Sequence, residues 1–290
     1  MQFYLSAIAL GFALAGLGAG IFLSMKIFNI PDITTDGSFT LGAAITAVHI
    51  SSGGHWLTAI ILGMLAGGIA GSITGIIHAY LKVNALLSGI LVMTALYSVN
   101  LIIMGRSNIP LIKVPHLFNI SENNSGYGSD TIILASVAIV VVALLTWLLK
   151  TDYGLAMRAT GNSEKMIRAF GVNTNVMKVA GLGLANAFTA LSGALVAQFQ
   201  QFADISMGIG IVIFGLGAVM IGEVITLSER FRSIGFKIIG VIIGCLIFRL
   251  IIAFTIASGA DPNIMKLLTA LVVLVFVSIP GLWKNKLIST

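Results

Sequence analysis

Apolar residues run in long unbroken stretches separated by short polar joints, from one end of the chain to the other. Stretches long enough to cross about 30 Å of hydrocarbon at about 1.5 Å per residue fall near residues 3–28, 56–81, 84–104 and 130–149, then 176–202, 208–226, 236–256 and 264–282. A ninth stretch, Phe39 to Ile50, is too short to cross in full. As a half-helix or re-entrant piece it needs its backbone sheltered by protein. The pattern predicts an all-α fold, a polytopic membrane bundle of about 8–10 helices including one half-helix, as a single domain over residues 1–290.

One polar island, Lys150 to Lys178, interrupts this pattern. Hydrophobic residues make up 58% of the chain and charged residues 9%, where soluble domains carry about a quarter charged residues. Lipid is therefore the main solvent, and the charges gathered in the island need their own explanation. The net charge of +6 is accounted for by basic residues at the cytoplasmic ends of membrane helices, so no nucleic-acid partner is implied.

The same rule orients the chain. Lys26 closes the first stretch, which places that end inside and the N-terminus outside. No basic residue precedes this stretch and it is longer than the apolar part of a signal peptide, so it reads as a retained helix. Lys82, the island, Arg230 to Lys237 and the Lys284-Asn285-Lys286 tail fall on the cytoplasmic side. The Asn-, Ser- and Gly-rich segment from Gly105 to Asp130 falls outside, despite Arg106 and Lys113, as a small helix or cap.

Glycine is abundant and regularly placed. Gly63, Gly67, Gly71 and Gly75 recur every fourth residue on one helix face, and Gly181, Ala185, Thr189, Gly193 and Ala197 do so on another. Small residues at this spacing let helix backbones approach closely where lipid provides no hydrophobic drive for association, which predicts tightly packed central helices. Catalytic signatures are missing: there is no phosphate-binding G-x-x-x-x-G-K-[ST] loop and no H-E-x-x-H, and His49, His55, His78 and His116 are scattered. The lone Cys245 excludes an intrachain disulfide and lies in an apolar run as a packing residue. These features point to a chain that is not an enzyme, with no cofactor or metal of its own.

The island contains a short amphipathic helix. Asn162 or Ser163 caps its start, Glu164 favours the positive end of the helix dipole, and Gly171 ends it in a left-handed conformation. Met166, Ile167 and Phe170 share one face, and Glu164, Lys165 and Arg168 lie toward the other, with Ala169 completing the last turn. At barely two turns it is unstable without outside contacts. A helix lying on anionic lipid and a docking helix for a cytoplasmic partner both fit this pattern.

Five more charged or polar residues are candidates for a pathway or gate. Asp32 and Asp36 are costly at membrane depth, but in a cytoplasmic turn they are solvated caps of a helix starting at Ser38. Glu223, close to Glu229, Arg230 and Arg232, reads as part of a cytoplasmic loop. Arg249 is the only basic residue well inside a stretch and needs a partner or a watery cavity.

Several segments resemble one family. Gly154-Leu155-Ala156-Met157-Arg158-Ala159, then Asn162, Lys165 and Ala169, the Gly171-Val172-Asn173-Thr174 step, the small-residue helix from Gly181 to Gly193, Ala197-Gln198-Phe199 and the closing Ile279-Pro280-Gly281-Leu282 are similar, in that order, to the permease subunits of ABC importers for branched-chain amino acids, ribose and nucleosides. Asp36 and Ser38 match the Asp-x-Ser-x-Gly step of sugar-type relatives, while Thr40 stands where that step has glycine. The segment from Asn29 to Ala44 most resembles a branch that accompanies lipoprotein-type binding proteins, some of them for aromatic amino acids.

The resemblance implies a coupling loop from Gly154 to Asn173, two copies of a cytoplasmic ATPase subunit that binds ATP and Mg, a second copy of the permease, an extracytoplasmic binding protein, and residence in the bacterial cytoplasmic membrane. Two other readings of the residues stay open. One is an ion-coupled secondary transporter using Asp32, Asp36 or Glu223, and the other is a membrane scaffold without transport.

Overall fold

The computed structural model describes residues 2–112, 114–118, 128–226, 233–259, 267 and 269–276. Among the described residues six helices are long and apolar enough to cross a membrane: Gln2–Ile27, Trp56–Ala79, Ala85–Met104, Gly128–Lys150, Thr174–Gln200 and Ile234–Ala257. The first is built from α1 (Gln2–Ala13), α2 (Ala15–Ile21) and a π-helical turn, Phe22–Ile27. Then follow α3 (Thr34–Ser51), α4 (Trp56–Ala79), α5 (Ala85–Met104), α6 (Gly128–Lys150), the short α7 (Asp152–Asn162) and α8 (Glu164–Ala169), α9 (Thr174–Gln200), α10 (Ile211–Ile225) and α11 (Ile234–Ala257). Of the apolar stretch at 264–282, residues 269–276 are helical, and Val272, Val273 and Phe276 pack on the core. The rest of that stretch, the Ile279–Leu282 motif, the basic tail, Lys113, Glu229, Arg230 and Arg232 lie outside the described residues.

The stretch at 39–50 differs from expectation. It belongs to α3, an 18-residue helix that begins at Thr34 and is about 27 Å long. Most of α3 is buried, polar residues included, because it is wrapped by α4, α5 and α9. A helix sheltered by protein on every side needs no apolar surface, so hydropathy underestimates its length. The short element is instead α10, with 15 residues, or about 22 Å.

Helix α9 is the centre of the bundle, packed chiefly on α4, α3 and α2. Small residues sit where backbones meet. A Cβ added at Gly67 would stand 2.7 Å from the Asn186 carbonyl oxygen, and one at Gly75 would stand 2.6 Å from the Val179 Cα. Gly63 lies against Gly42, Gly71 against Leu182 and Asn186, Gly193 against the Phe39 backbone and Gly181 beneath the Phe28 ring. In contrast, α5 and α6 each bury only 28% of their most apolar window, which leaves their outer faces for lipid or another chain.

At one end of the bundle two three-residue strands pair antiparallel, β1 (Asn108–Pro110) with β2 (Phe202–Asp204) and Ile109 opposite Ala203. The backbone N–H of Leu117 donates to the Gln198 side chain at 3.1 Å, and Phe118 meets Phe199 edge-on at 5.6 Å. The cap expected between Gly105 and Asp130 is thus held partly by strand pairing. At the opposite end lie Lys26, the α4–α5 turn, α7 and α8.

Candidate functional site

Helix α8 begins where its side chains dictate. Ser163 caps it, its hydroxyl accepting from the Met166 N–H at 3.4 Å, and Gly171 leaves it at φ +83°, which glycine adopts without steric cost. The six residues Glu164–Ala169 bury no side chain. Met166 and Phe170 are exposed, Phe170 at 76%, while Ile167 beside them is half-buried, so the outer part of the apolar face is left open by the described residues. What fixes α8 is its polar side. The Glu164 carboxylate accepts from Arg168 at 2.6 Å, Lys178 at 2.8 Å and the Thr174 hydroxyl at 3.1 Å, while Arg168 Nε donates to Thr174 at 2.7 Å. The hydrogen bond from Lys178, with its charge and the bonds from Thr174 and Arg168, holds the Glu164 carboxyl below its ordinary range.

Helix α7 connects this surface to the bundle. Thr151 caps it by accepting from the Gly154 N–H at 3.2 Å, and Gly154 lies against the backbone of Leu148 and Leu149. Gly161 touches the carbonyl of Ile27, and Asn29 Nδ2 donates to the Gly161 carbonyl at 3.1 Å. The root of α8 is therefore in backbone contact with the turn that leads from the first span into α3.

Asp32 lies five residues beyond that contact and is 2% exposed. Its Oδ1 accepts from the Thr34 N–H at 2.9 Å and its Oδ2 from Asn186 Nδ2 at 2.7 Å. Thr34 in turn shares a hydrogen bond with Thr74 at 2.8 Å, so one polar knot joins α3, α4 and α9. Asp36 does different work. Its two oxygens accept from the Gly210 and Val212 N–H groups at 2.8 and 2.9 Å, satisfying donors that the start of α10 would otherwise leave open. Both carboxylates are thus caps, Asp32 of α3 and Asp36 of α10, but neither is the freely solvated cap expected for a turn. Ser38 is buried with no partner for its hydroxyl among the described residues.

Asp36, Gly37, Thr40, Tyr97 and Asn100 line a cleft of about 370 Å³, together with Met93, Thr94, Ser98, Ile205 and Ile209. Asn100 donates to the Gly37 carbonyl at 3.2 Å, and its own carbonyl oxygen is buried without a partner among the described residues.

The family described as branched-chain amino acid transport system, permease component, matches residues 3–278. The chain belongs to this family. It is 37% identical over 278 residues to the tyrosine transport system permease protein of Clostridioides difficile (strain R20291), covering 96% of this chain and 91% of the relative. An uncharacterized protein of Rickettsia prowazekii (strain Madrid E) is 34% identical over 280 residues, covering 96% and 98% of the two chains. The galactofuranose transporter permease protein of Escherichia coli (strain K12) is 27% identical over 252 residues, covering 84% and 69%. The protein is accordingly a multi-pass membrane permease of an ABC importer, a transport subunit rather than an enzyme.

In this permease the remaining candidates part company. Glu223 pairs with Lys26 at 2.6 Å, a partner that sequence reasoning missed because 197 positions separate the two. Its expected neighbours Glu229, Arg230 and Arg232 lie outside the described residues. Arg249 sits partly buried in α11 with no hydrogen bond or ion pair among the described residues. The histidines serve local structure: His49 bonds Thr58, His55 caps α4, and His78 and His116 bond nearby carbonyls. Asn186 and Lys178, which complete the Asp32 and Glu164 clusters, were also missed. Asn186 alone carried a signal, as a polar residue in a small-residue membrane helix.

Proposed function

We propose that the permease carries an amino acid, with an aromatic one favoured, across the bacterial cytoplasmic membrane after delivery by an extracytoplasmic binding protein. Two permease copies form the path, and two ATPase subunits dock on residues 154–173. Supporting the substrate class are the 37% identity to the tyrosine transport permease and the cleft at Asp36 and Asn100. Its volume of about 370 Å³ lies within the range of small-molecule sites, about 300–1,000 Å³.

The observation that carries the coupling role is α8 itself, which exposes Met166 and Phe170 on one side and is bolted to α9 on the other by Glu164. The chain lacks a phosphate-binding loop, so its energy must arrive from another subunit. Movement of α8 travels along two routes, through Lys178 and Thr174 into α9, and through α7 and Gly161 into the Ile27–Asn29 turn. Both routes meet at the Asp32–Asn186 bond, where α3 is tied to α9. Rocking of α3 against α9, with Asp36 carrying the start of α10, then alternates access at the cleft.

Reconstitution with the ATPase and binding protein in sealed vesicles tests this directly. Uptake of labelled tyrosine or phenylalanine is expected to require ATP inside the ATPase-accessible compartment and the loaded binding protein, and to fail when residues 164–170 are replaced by a flexible linker. Uptake driven by a proton or sodium gradient without the ATPase would instead establish secondary transport.

A further inference from the structure

A second cavity, of about 550 Å³, lies between the end of the first span, α7, α10 and α11. Three cations line it, Lys26, Arg158 and Lys237, against one carboxylate, Glu223. Glu223 is taken by Lys26 at 2.6 Å, and neither Arg158 nor Lys237 has a partner among the described residues. Asn29, Asn162 and Thr226 add neutral polar groups, and Leu155, Ile234 and Val241 form part of an apolar wall. Like charges facing one cavity repel each other unless an anion sits between them.

The level of the cavity in the bilayer narrows the choice of anion. Trp147 and Tyr153, in the turns on either side of the α6–α7 joint, are exposed, as aromatic side chains at a membrane interface are. Leu155 lines the cavity and is also exposed, and Phe236 and Ile239 are exposed on α11 beside Lys237. Cations inside the pocket and apolar surface at its edge match a charged head carrying hydrocarbon tails, and basic pockets between membrane helices bind such heads.

We propose that this cavity binds the phosphate of an anionic phospholipid headgroup, which bridges Arg158 of α7 to Lys237 of α11. The bridge fixes the root of α8 against the bundle. That it faces the cytoplasmic leaflet rests on the reading of α8 as the ATPase-docking surface, but binding itself does not.

The test uses the full chain in bilayer discs of phosphatidylcholine with a minority of phosphatidylglycerol, read by native mass spectrometry after release from the disc. Wild type is expected to retain phosphatidylglycerol, and the double variant Arg158→Gln/Lys237→Gln to hold it about 30-fold more weakly, from the loss of two cations near the surface. Arg158→Lys/Lys237→Arg is expected to keep binding, which separates charge from fold. Lys82→Asn, which removes a cation from the same end outside the cavity, should leave it unchanged. In a second arm inorganic phosphate is titrated against thermal unfolding. A shift in wild type that the Gln variant lacks, without lipid retention, keeps the anion site but overturns the lipid as its occupant. Equal phosphatidylglycerol retention by wild type and the Gln variant, or no binding of either anion by wild type, overturns the site.

Discussion

Helix α8 and the middle of α9, which begins 13 positions further along the chain, are opposites in construction. No side chain of α8 is buried, whereas from Leu182 to Gln198 α9 is buried at nearly every position and meets its neighbours through small residues. One surface is open and held by charge. The other is shaped for this chain alone and held by close backbone approach, so it moves as a block with whatever displaces it. Glu164, bonded to Lys178 and Thr174 of α9, is the joint between them. On the proposed reading stability and coupling are carried by different residues, and substitutions should separate the two.

The largest effect on folding is expected where α3 and α9 touch. Gly42→Leu would drive a side chain into the Ala190 backbone, which lies within 2.8 Å of the added Cβ, and overpacking of this kind costs about 3 kcal/mol. Loss of monodisperse protein on size-exclusion chromatography is the readout. Asn186→Leu comes next. It leaves one oxygen of buried Asp32 without its donor, at a cost of about 2–3 kcal/mol, seen as a lower thermal unfolding midpoint in detergent and partly restored by Asp32→Asn in the same chain.

Asp36→Ala uncaps the start of α10 and is expected to cost about 1–2 kcal/mol, with faster amide exchange at Gly210 and Val212 marking the local site. Glu164→Gln should leave the unfolding midpoint nearly unchanged, because an exposed tether of this type is worth less than about 1 kcal/mol, yet raise ATP hydrolysis per substrate transported. Acid should mimic it in one direction only. The Glu164 carboxyl is held below its ordinary value of 4.5, so the tether is fully present above that pH and is lost as pH falls through the lowered value. Exchange protection of α8 is expected to be flat from neutral pH to about 5 and to drop in stronger acid.

Much of this architecture is legible in the sequence because lipid imposes a simple rule on what faces it. The outer faces of α4, α5, α6 and α11 obey that rule. The ends of α8 were legible too, since Ser163 and Gly171 act locally. Where protein rather than lipid is the neighbour, the rule gives no information. The polar start of α3 was hidden because Thr34, Thr35 and Ser38 are sheltered by other helices, and the β1–β2 pair joins two unremarkable three-residue segments. The site residues failed for a related reason. Asp36 and Glu223 stood out as charges, but what each does depends on Gly210 and Lys26, which only the packed bundle brings near. Arg249 stands out in the sequence, and nothing in the described structure explains it.

The smallest expected change in stability belongs to the substitution that bears most directly on coupling. Phe170→Asp alters a side chain that is 76% exposed, so its unfolding midpoint should match wild type within about 0.5 kcal/mol. Co-purification of the ATPase subunit with this variant is the decisive measurement. Loss of the ATPase from an otherwise intact permease is the predicted result. Retention of the ATPase with wild-type stoichiometry and wild-type uptake would show that α8 is not the surface through which this transporter is driven.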